Sequence, residues 1–238
     1  MGFWCKDMKK YDDELGKRIN ANIDADYAKF HSALILGKEI KGVRIPVLRQ
    51  IAKEFAVYDD FLQNVSLNSY ENISIACYYI GLTCKDYSSL QPKLDFILPY
   101  IDNWAICDTF VSSLKCLKKD SENNFIPVLY EYLQCGQCFA NRFAIVALMT
   151  YYLKNGNLIE EIFNRIIVLQ NVDYYIDMAI AWLVSMAFVK DREVTLNLLK
   201  SNKLHPFVQN KSISKICDSF RVPKEDKELV KALRVKVA

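Results

Sequence analysis

The sequence predicts an all-α protein, and three observations lead to this prediction. Glycine and proline are scarce, with 7 and 6 among 238 residues, so the chain lacks the turn residues that many short strands require. Apolar residues make up 52% of the chain and charged residues 25%, which is enough to bury a substantial core. Helix-length stretches follow one another through short connectors, without a flexible linker.

The individual helices can be placed from apolar periodicity and capping residues. After an N-terminal segment that ends near residue 41, "GVRIPVLRQIAKEF" predicts a turn and then a helix with Pro46 at its first position. Further helices are predicted over residues 69–84, 90–100, 103–118, 123–134, 139–154, 158–169, 173–189, 191–201, 206–219 and 224–235. N-cap positions fall on Asn103, Asn123, Asn157, Asn171 and Asp173, and first turns on Pro206 and Pro223.

A recurring pattern indicates helical repeats. The stretches "FANRFAIVALMTYYLK" and "DYYIDMAIAWLVSMAFVK" are apolar almost all round, so both are expected inside a stack of helices. Trp104, Arg142, Trp182 and Arg221 follow one another at intervals of 38, 40 and 39 residues. This spacing lies near the roughly 40 to 47 residues of HEAT repeats. We therefore expect a single domain over residues 1–238, an α-α superhelix whose repeats span residues 42–238. The second helix of each pair is expected to carry one of these four residues and to line a concave face.

Several classes of protein are disfavoured. No apolar run reaches the roughly eighteen residues of a membrane span, and the start "MGFWCKDMKK" does not resemble a secretory signal. Six of the eight cysteines fall in apolar, helix-like runs and are expected as reduced thiols: Cys5, Cys77, Cys84, Cys107, Cys116 and Cys217. The "CGQC" pair at residues 135–138 has no second pair and only two histidines in the chain, so it predicts a helix connection. A cytoplasmic protein without metal or cofactor is expected.

Charge is distributed unevenly along the chain. Residues 200–238 carry ten basic and four acidic residues, a net charge of 10 − 4 = +6, whereas the whole chain carries +3. The first 199 residues therefore carry 3 − 6 = −3. A basic end suggests a polyanionic partner, although solvated lysines on a surface helix are the commoner cause of such a pattern.

The stretch "NWAICD", residues 103–108, carries the most specific chemistry. On a helix, Trp104 and Asp108 lie one turn apart on the same face. A carboxylate beside an indole needs a cationic partner if it is to be buried. Indole rings offer flat faces for sugars, bases or cations, and the arginine fork of Arg142 or Arg221 fits phosphate oxygens. Core tryptophans and structural ion pairs are the alternative interpretation for each residue taken alone.

Four motifs in order resemble one known family. The stretches "GVRIPVLRQIAKEF", "IDNWAICDTF", "NRFAIVALMTYYL" and "YYIDMAIAWLVSMAF" are similar to the AlkD-like DNA glycosylases, HEAT-repeat enzymes that remove alkylated purines. The similarity runs from about residue 42 to the C-terminus and includes "NKSISKICDSFRVPKED".

The resemblance implies a site and a partner. It implies that the concave face binds duplex DNA with alkylated bases, that Trp104 and Trp182 flank the deoxyribose of the lesion, and that Asp108 faces the sugar. The substrate then supplies the cation, because an N3- or N7-alkylated purine is positively charged and cleavage builds oxocarbenium character on the sugar. Arg142 would bind the phosphate beside the lesion, without flipping of the base into a tight pocket. Arg221, Lys211 and Arg44 complete the expected DNA contacts of a monomeric enzyme.

Three positions depart from the family pattern. Active members carry a lysine and an arginine where this chain has Met178 and Ser185, so two phosphate-facing cations are absent. Phe143 replaces a small residue, and its ring could intrude on the groove, while Asp177 would repel phosphate if it pointed inward. Three hypotheses therefore stay open: an alkylpurine DNA glycosylase, a DNA-binding relative with weak or lost excision, and a helical solenoid that binds another protein.

Overall fold

The computed structural model describes residues 9–35 and 37–236, and all regular structure in these ranges is helical. The α-helices are α1 Asp12–Asn20, α2 Ala25–Leu34, α3 Ile45–Phe55, α4 Tyr70–Thr83, α5 Gln91–Ile97, α6 Trp104–Ser113, α7 Ile126–Gln134, α8 Cys138–Ala147, α9 Gly156–Ile166, α10 Tyr174–Lys190, α11 Arg192–Lys200, α12 Pro206–Asp218 and α13 Lys224–Lys231. The predicted all-α fold is confirmed.

Several α-helices are followed by a 3₁₀ or π-helical turn. The predicted helices include these turns and are therefore longer than the α-helices. Short 3₁₀ segments cover Leu62–Asn64, Leu98–Tyr100, Lys115–Lys119 and Ile167–Leu169, and a π-helical turn covers Leu148–Tyr152. Apolar periodicity does not distinguish these windings from an α-helix over one turn. Each stretch predicted helical from residue 42 onwards therefore contains an α-helix. The helix starts lie within three residues of the predictions, whereas the ends differ by up to seven residues, as for α8, which ends at Ala147.

The described residues fall into two compact units, which divide between Lys119 and Asp120. In the N-terminal unit, α4 packs against α3, α5 and α6, and α3 also contacts α1. In the C-terminal unit, α10 lies between α8 and α12, while α9 contacts α7 and α11. The pairs α7–α8, α10–α11 and α12–α13 join these two layers. This layering of successive helix pairs is the packing expected for helical repeats.

The two nearly all-apolar helices are central to the C-terminal unit, as predicted. Residues 140–147 of α8 are all buried. In α10, ten of the seventeen residues are buried, because the helix packs against α8, α11 and α12. Among the largest fully buried side chains of this unit are Phe125, Phe143 and Tyr152.

The spacing of the four marker residues does not equal the structural repeat. Helices α6, α8, α10 and α12 begin at residues 104, 138, 174 and 206, which gives intervals of 34, 36 and 32. Trp104 is the first residue of α6, Arg142 the fifth of α8 and Trp182 the ninth of α10, whereas Arg221 follows the end of α12. The markers therefore advance by about one turn along each successive helix, and the prediction that Arg221 lies on the second helix of a pair is wrong.

Only some of the predicted caps are confirmed. Asn103 and Asp173 accept hydrogen bonds from the backbone amides of Ile106 and Tyr175 and cap α6 and α10. Asn123 and Asn171 instead have φ values of 64° and 61°, a left-handed conformation that asparagine tolerates in turns. For α9 the cap is Asn155 rather than Asn157. Pro206 lies in the first turn of α12, but Pro223 precedes α13 as its N-cap residue.

The cysteines largely follow their predicted burial. Cys77, Cys84, Cys107 and Cys116 are buried as free thiols, and Cys217 is partly buried. Cys135 is exposed and Cys138 begins α8, so "CGQC" forms the connection between α7 and α8. The prediction for Cys5 lies outside the described residues.

A buried carboxylate fixes the turn before α3. Glu71 is fully buried in the first turn of α4, and its Oε1 accepts hydrogen bonds from the backbone amides of Lys41 and Gly42 at 2.8 and 3.2 Å. Gly42 has a φ of 90°, and a Cβ there would lie 2.3 Å from the carbonyl oxygen of Asp24. Glycine is therefore required at the start of "GVRIPVLRQIAKEF".

Replacing Glu71 by Gln is expected to change how stability depends on pH. Burial raises the pKa of Glu71 above its ordinary value, so between the unfolded and folded pKa values the folded state binds more protons. The contribution of Glu71 to the free energy of unfolding therefore falls as pH rises through that window. Glu71→Gln keeps an acceptor for the two amides without the charge. Thermal denaturation at several pH values should show the wild type gaining stability relative to the variant as pH falls; a constant difference would contradict this.

Candidate nucleic-acid interface

The start of α6 is fixed by a chain of polar contacts within the N-terminal unit. Lys38 forms an ion pair with Asp102, which accepts a hydrogen bond from the side-chain amide of Asn103 at 3.1 Å. The Oδ1 of Asn103, itself buried, accepts from the backbone amide of Ile106 at 3.0 Å. Because the helix begins immediately after this cap, the position of Trp104 is set by it.

One face of α6 remains accessible while the others are buried. Ala105, Ile106, Cys107, Phe110 and Val111 pack inward. The accessible side, called here the α6 face, carries Trp104, Asp108, Thr109, Ser112 and Ser113. Trp104 and Asp108 are both half-buried and four residues apart, so the structure places them on one side of the helix, as predicted. An apolar ring and a carboxylate are thus presented together at its first turns.

A second accessible stripe runs along α10 in the C-terminal unit. This stripe, called here the α10 face, consists of Tyr174, Tyr175, Met178, Trp182, Met186, Val189 and Lys190. Trp182 lies at the middle of this stripe and is half-buried. Only the final residue of this stripe is charged, so the face presents mostly aromatic and thioether surface. Such a surface suits stacking or apolar contact more than ion pairing.

Two predicted DNA-binding cations lie beside the α10 face. Arg221 is exposed, and its Nη2 lies 3.1 Å from the Sδ of Met186, one turn beyond Trp182. Lys211 on α12 is half-exposed, with its Nζ 6.0 Å from the centre of the Phe207 ring. That ring in turn lies 6.1 Å from the ring of Tyr174. The C-terminal unit therefore brings Trp182, Arg221 and Lys211 to neighbouring parts of its surface.

Arg142 is far more buried than a surface cation. It is only 6% exposed, and its Nη1 donates a hydrogen bond of 2.7 Å to the backbone carbonyl of Tyr175. This contact ties α8 to the first turn of α10. A planar guanidinium can hold a carbonyl with one edge and present other N–H groups elsewhere, so its phosphate contact stays a prediction.

The two expected intrusions into the interface do not occur. Phe143 is fully buried, and its ring packs edge-on against Tyr132 of α7 at 6.2 Å, so it does not point toward an accessible face. Asp177 is 7% exposed, and its Oδ1 accepts from the backbone amide of Asn171 at 2.8 Å. Burial raises the pKa of Asp177 above its ordinary value.

The two positions where the resemblance implies cations differ in their exposure. Met178 is half-exposed one turn before Trp182. Ser185 is nearly buried, and its hydroxyl donates to the carbonyl of Trp182 at 2.8 Å. Neither position offers a positive charge, and the nearby cation Arg221 lies beside Met186, one turn beyond Trp182.

Arg44 lies in a structural cluster at the start of α3. Its Nε and Nη2 bind the Oδ2 of Asp24 at 2.9 and 2.7 Å, and its guanidinium lies 5.0 Å from the centre of the Tyr27 ring. Asp24 also caps α2 by accepting from the backbone amide of Tyr27. Arg44 is exposed, so DNA binding there stays a prediction, in competition with this ion pair.

Sequence reasoning missed one group of cations in the N-terminal unit. Arg49, Lys85, Lys115 and Lys119 line a cleft of about 380 Å³ beside the ends of α4 and α6, called here the basic cleft. They come from three separate parts of the chain, so no single motif in the sequence predicts the whole group. The run "LKCLKK" at residues 114–119 is the one local signal.

The part of the chain that the structure describes has neither a metal-binding cluster nor a membrane-spanning helix. Within residues 9–35 and 37–236, no three His, Cys, Asp or Glu side chains are grouped so that they could hold a metal ion. None of the helices in the same ranges combines the length and apolar character that crossing a bilayer requires.

Comparison with known proteins identifies the family. No curated protein sequence gives a significant match to the chain. The family described as "DNA alkylation repair enzyme" matches residues 11–216, which includes the α6 face, the α10 face and the basic cleft. The match covers well over half of the chain and agrees with the all-helical fold. The chain therefore belongs to the DNA alkylation repair enzyme family.

Proposed function

We propose that this protein is an alkylpurine DNA glycosylase that hydrolyses the N-glycosidic bond of N3- or N7-alkylated purines in duplex DNA. One observation supports this most strongly: Trp104 and Asp108 lie one turn apart on an accessible face of α6, in a member of a DNA alkylation repair family. We expect it to act as a monomer in the cytoplasm, without a metal or cofactor.

The proposed chemistry requires little beyond a well-placed carboxylate. Alkylation makes the purine cationic, so its C1′–N bond breaks with the electron pair leaving on the base, which becomes neutral. The deoxyribose then carries oxocarbenium character, and water adds to C1′ and loses one proton to the solvent, which leaves a hydroxyl on the sugar. Asp108 stabilises this positive charge and orients the water, while the indole of Trp104 contributes cation–π attraction.

DNA binding would depend on the remaining predicted residues. Trp182 packs against the deoxyribose, and Arg142, Arg221, Lys211 and Arg44 contact phosphates. Because Met178 and Ser185 supply no charge, fewer counterions are released on binding than in relatives with two more cations. We therefore expect weaker, salt-sensitive binding with excision retained.

Release of methylated bases tests this function directly. The protein is incubated with duplex DNA containing N7-methylguanine or N3-methyladenine, and the free base is measured by chromatography. Release above the spontaneous rate supports the glycosylase. Salt-dependent DNA binding without release would support the catalytically inactive DNA-binding relative, and the absence of salt-dependent binding would favour the protein-binding solenoid.

Restoring a cation on the α10 face should strengthen DNA binding. Met178 is half-exposed one turn from Trp182, and lysine has a similar length and flexibility. Met178→Lys is expected to tighten binding several-fold at low salt and to steepen the logarithmic salt dependence by about 0.9, the value for one added phosphate contact. Met178→Gln is the matched neutral control. Equal affinities of the two variants would show that this position does not face DNA.

A further inference from the structure

The basic cleft has the chemistry of an anion site. Its walls come from α3, from the last turns of α4 and α6, and from the 3₁₀ segment Lys115–Lys119. The lining residues are Arg49, Tyr78, Gly81, Leu82, Cys84, Lys85, Ser112, Ser113, Lys115, Cys116 and Lys119, with no carboxylate among them. We propose that this cleft binds backbone phosphates of duplex DNA next to the α6 face, as a second contact that rests on the proposed function for the identity of the polyanion and for the place of the lesion's sugar at Asp108.

The positive charge of the basic cleft is not neutralised by neighbouring carboxylates. Within residues 9–35 and 37–236, Lys85, Lys115 and Lys119 form no ion pair, and the Arg49 guanidinium lies 5.2 Å from the centre of the Tyr78 ring. Asp86 follows Lys85, but its carboxylate accepts hydrogen bonds from Ser88 and Ser89. The four cations therefore stand without acidic partners.

Two buried groups of the basic cleft, the Tyr78 hydroxyl and the Cys116 thiol, stay neutral near pH 7. Burial raises the pKa of Tyr78, and it raises the pKa of Cys116 to about 12. The hydroxyls of Ser112 and Ser113 donate to carbonyls of their own helix, at 2.7 Å each. Hydrogen-bond donors for a ligand are thus mainly the four cations, as expected for a site that accepts phosphate oxygens.

Compensation of helix dipoles accounts for only part of the positive charge in the basic cleft. Cations near helix C-termini balance the partial negative charge of the last carbonyl groups, and both α4 and α6 end at the basic cleft. Each helix end carries roughly half an elementary charge, so the two ends account for about one of the four positive charges. A surplus of about three charges remains for a ligand.

The position of the basic cleft favours DNA over a free nucleotide. Ser112, which lines the cleft, follows Asp108 by one helical turn on the α6 face, a rise of roughly 6 Å. Gly81 allows α4 to approach this turn, since a Cβ there would lie 2.3 Å from the Oγ of Ser113. With a sugar at Asp108, neighbouring phosphates of the same strand come within reach of the cleft.

The test compares two variants with the same loss of charge. Lys85, Lys115 and Lys119 are replaced by Gln in the cleft variant, and the exposed Lys17, Lys29 and Lys53 are replaced by Gln in the control. Both lose three positive charges from the N-terminal unit. Binding of an unmodified duplex is measured from about 0.05 to 0.3 M salt, with thermal denaturation to verify folding.

The cleft variant is expected to bind at least tenfold more weakly than the control at low salt. Its logarithmic salt slope should be shallower by about two to three, as for two or three lost phosphate contacts. Equal affinities and slopes for the two variants would overturn the proposal. Titration with adenosine monophosphate separates the other source of phosphate: lysine-dependent binding of the mononucleotide with an unchanged DNA slope would also overturn it. Because unmodified DNA is used, the slope difference stands even if the wild type releases no methylated base.

Discussion

Asp108→Asn should reduce release of N7-methylguanine by about a hundredfold or more, the loss seen when one group of a preorganised electrostatic site is removed. Asparagine keeps the size of the side chain but removes the negative charge that the proposed mechanism places against the developing oxocarbenium ion. Because Asp108 is only half-buried and asparagine keeps the shape of the side chain, stability should change much less than release. Affinity for unmodified DNA should stay the same or rise slightly, since an anion near phosphate is lost.

A structural Asp108 would give the opposite pattern. Breaking a buried charge pair leaves one partner uncompensated and costs several kcal/mol of stability. Thermal denaturation and single-turnover release measured on the same two proteins distinguish the two cases. A large loss of stability with an unchanged release rate would contradict the catalytic assignment.

Replacing either half-buried indole by alanine should slow release by between about twofold and thirtyfold. This range corresponds to cation–π energies of about 0.5 to 2 kcal/mol. Trp104→Phe and Trp182→Phe keep a ring and should lose less than the alanine variants. Val189→Ala, on the same α10 face two turns after Trp182, is the matched control because it shortens an accessible side chain without removing a ring.

The order of release rates among these variants tests whether the rings contact the substrate. Release that falls in the order wild type, Phe, Ala at both positions supports contact of the rings with a cationic substrate. If Trp182→Ala and Val189→Ala have the same release rate, Trp182 is a packing residue of α10 and does not contact the lesion.

Much of the fold could be predicted because its determinants are local. Apolar periodicity and scarce Gly and Pro located the helices from residue 42 onwards, and the two nearly all-apolar stretches identified the centres of α8 and α10. The failures also have local causes. Asn123 and Asn171 adopt left-handed turns rather than caps, because asparagine serves both roles. The marker spacing overestimated the repeat, since equivalent positions on successive helices do not carry the marker residues.

The candidate site was predictable only in part. The one-turn spacing of Trp104 and Asp108 fixed their shared face on α6. The burial of side chains could not be predicted from helical spacing. Phe143 and Asp177 point inward because α7 and the turn at Asn171 cover them, and this depends on tertiary packing. The basic cleft is assembled from residues 49, 85, 115 and 119, whose proximity arises only when α3, α4 and α6 pack together.

Single-turnover release of methylated bases by the wild type is the most direct test of the central claim. Enzyme in excess over duplex DNA containing N7-methylguanine should release the free base in a single phase, at a rate that saturates with enzyme concentration and exceeds spontaneous depurination. Saturable binding of the same duplex with release no faster than the spontaneous rate would contradict glycosylase activity.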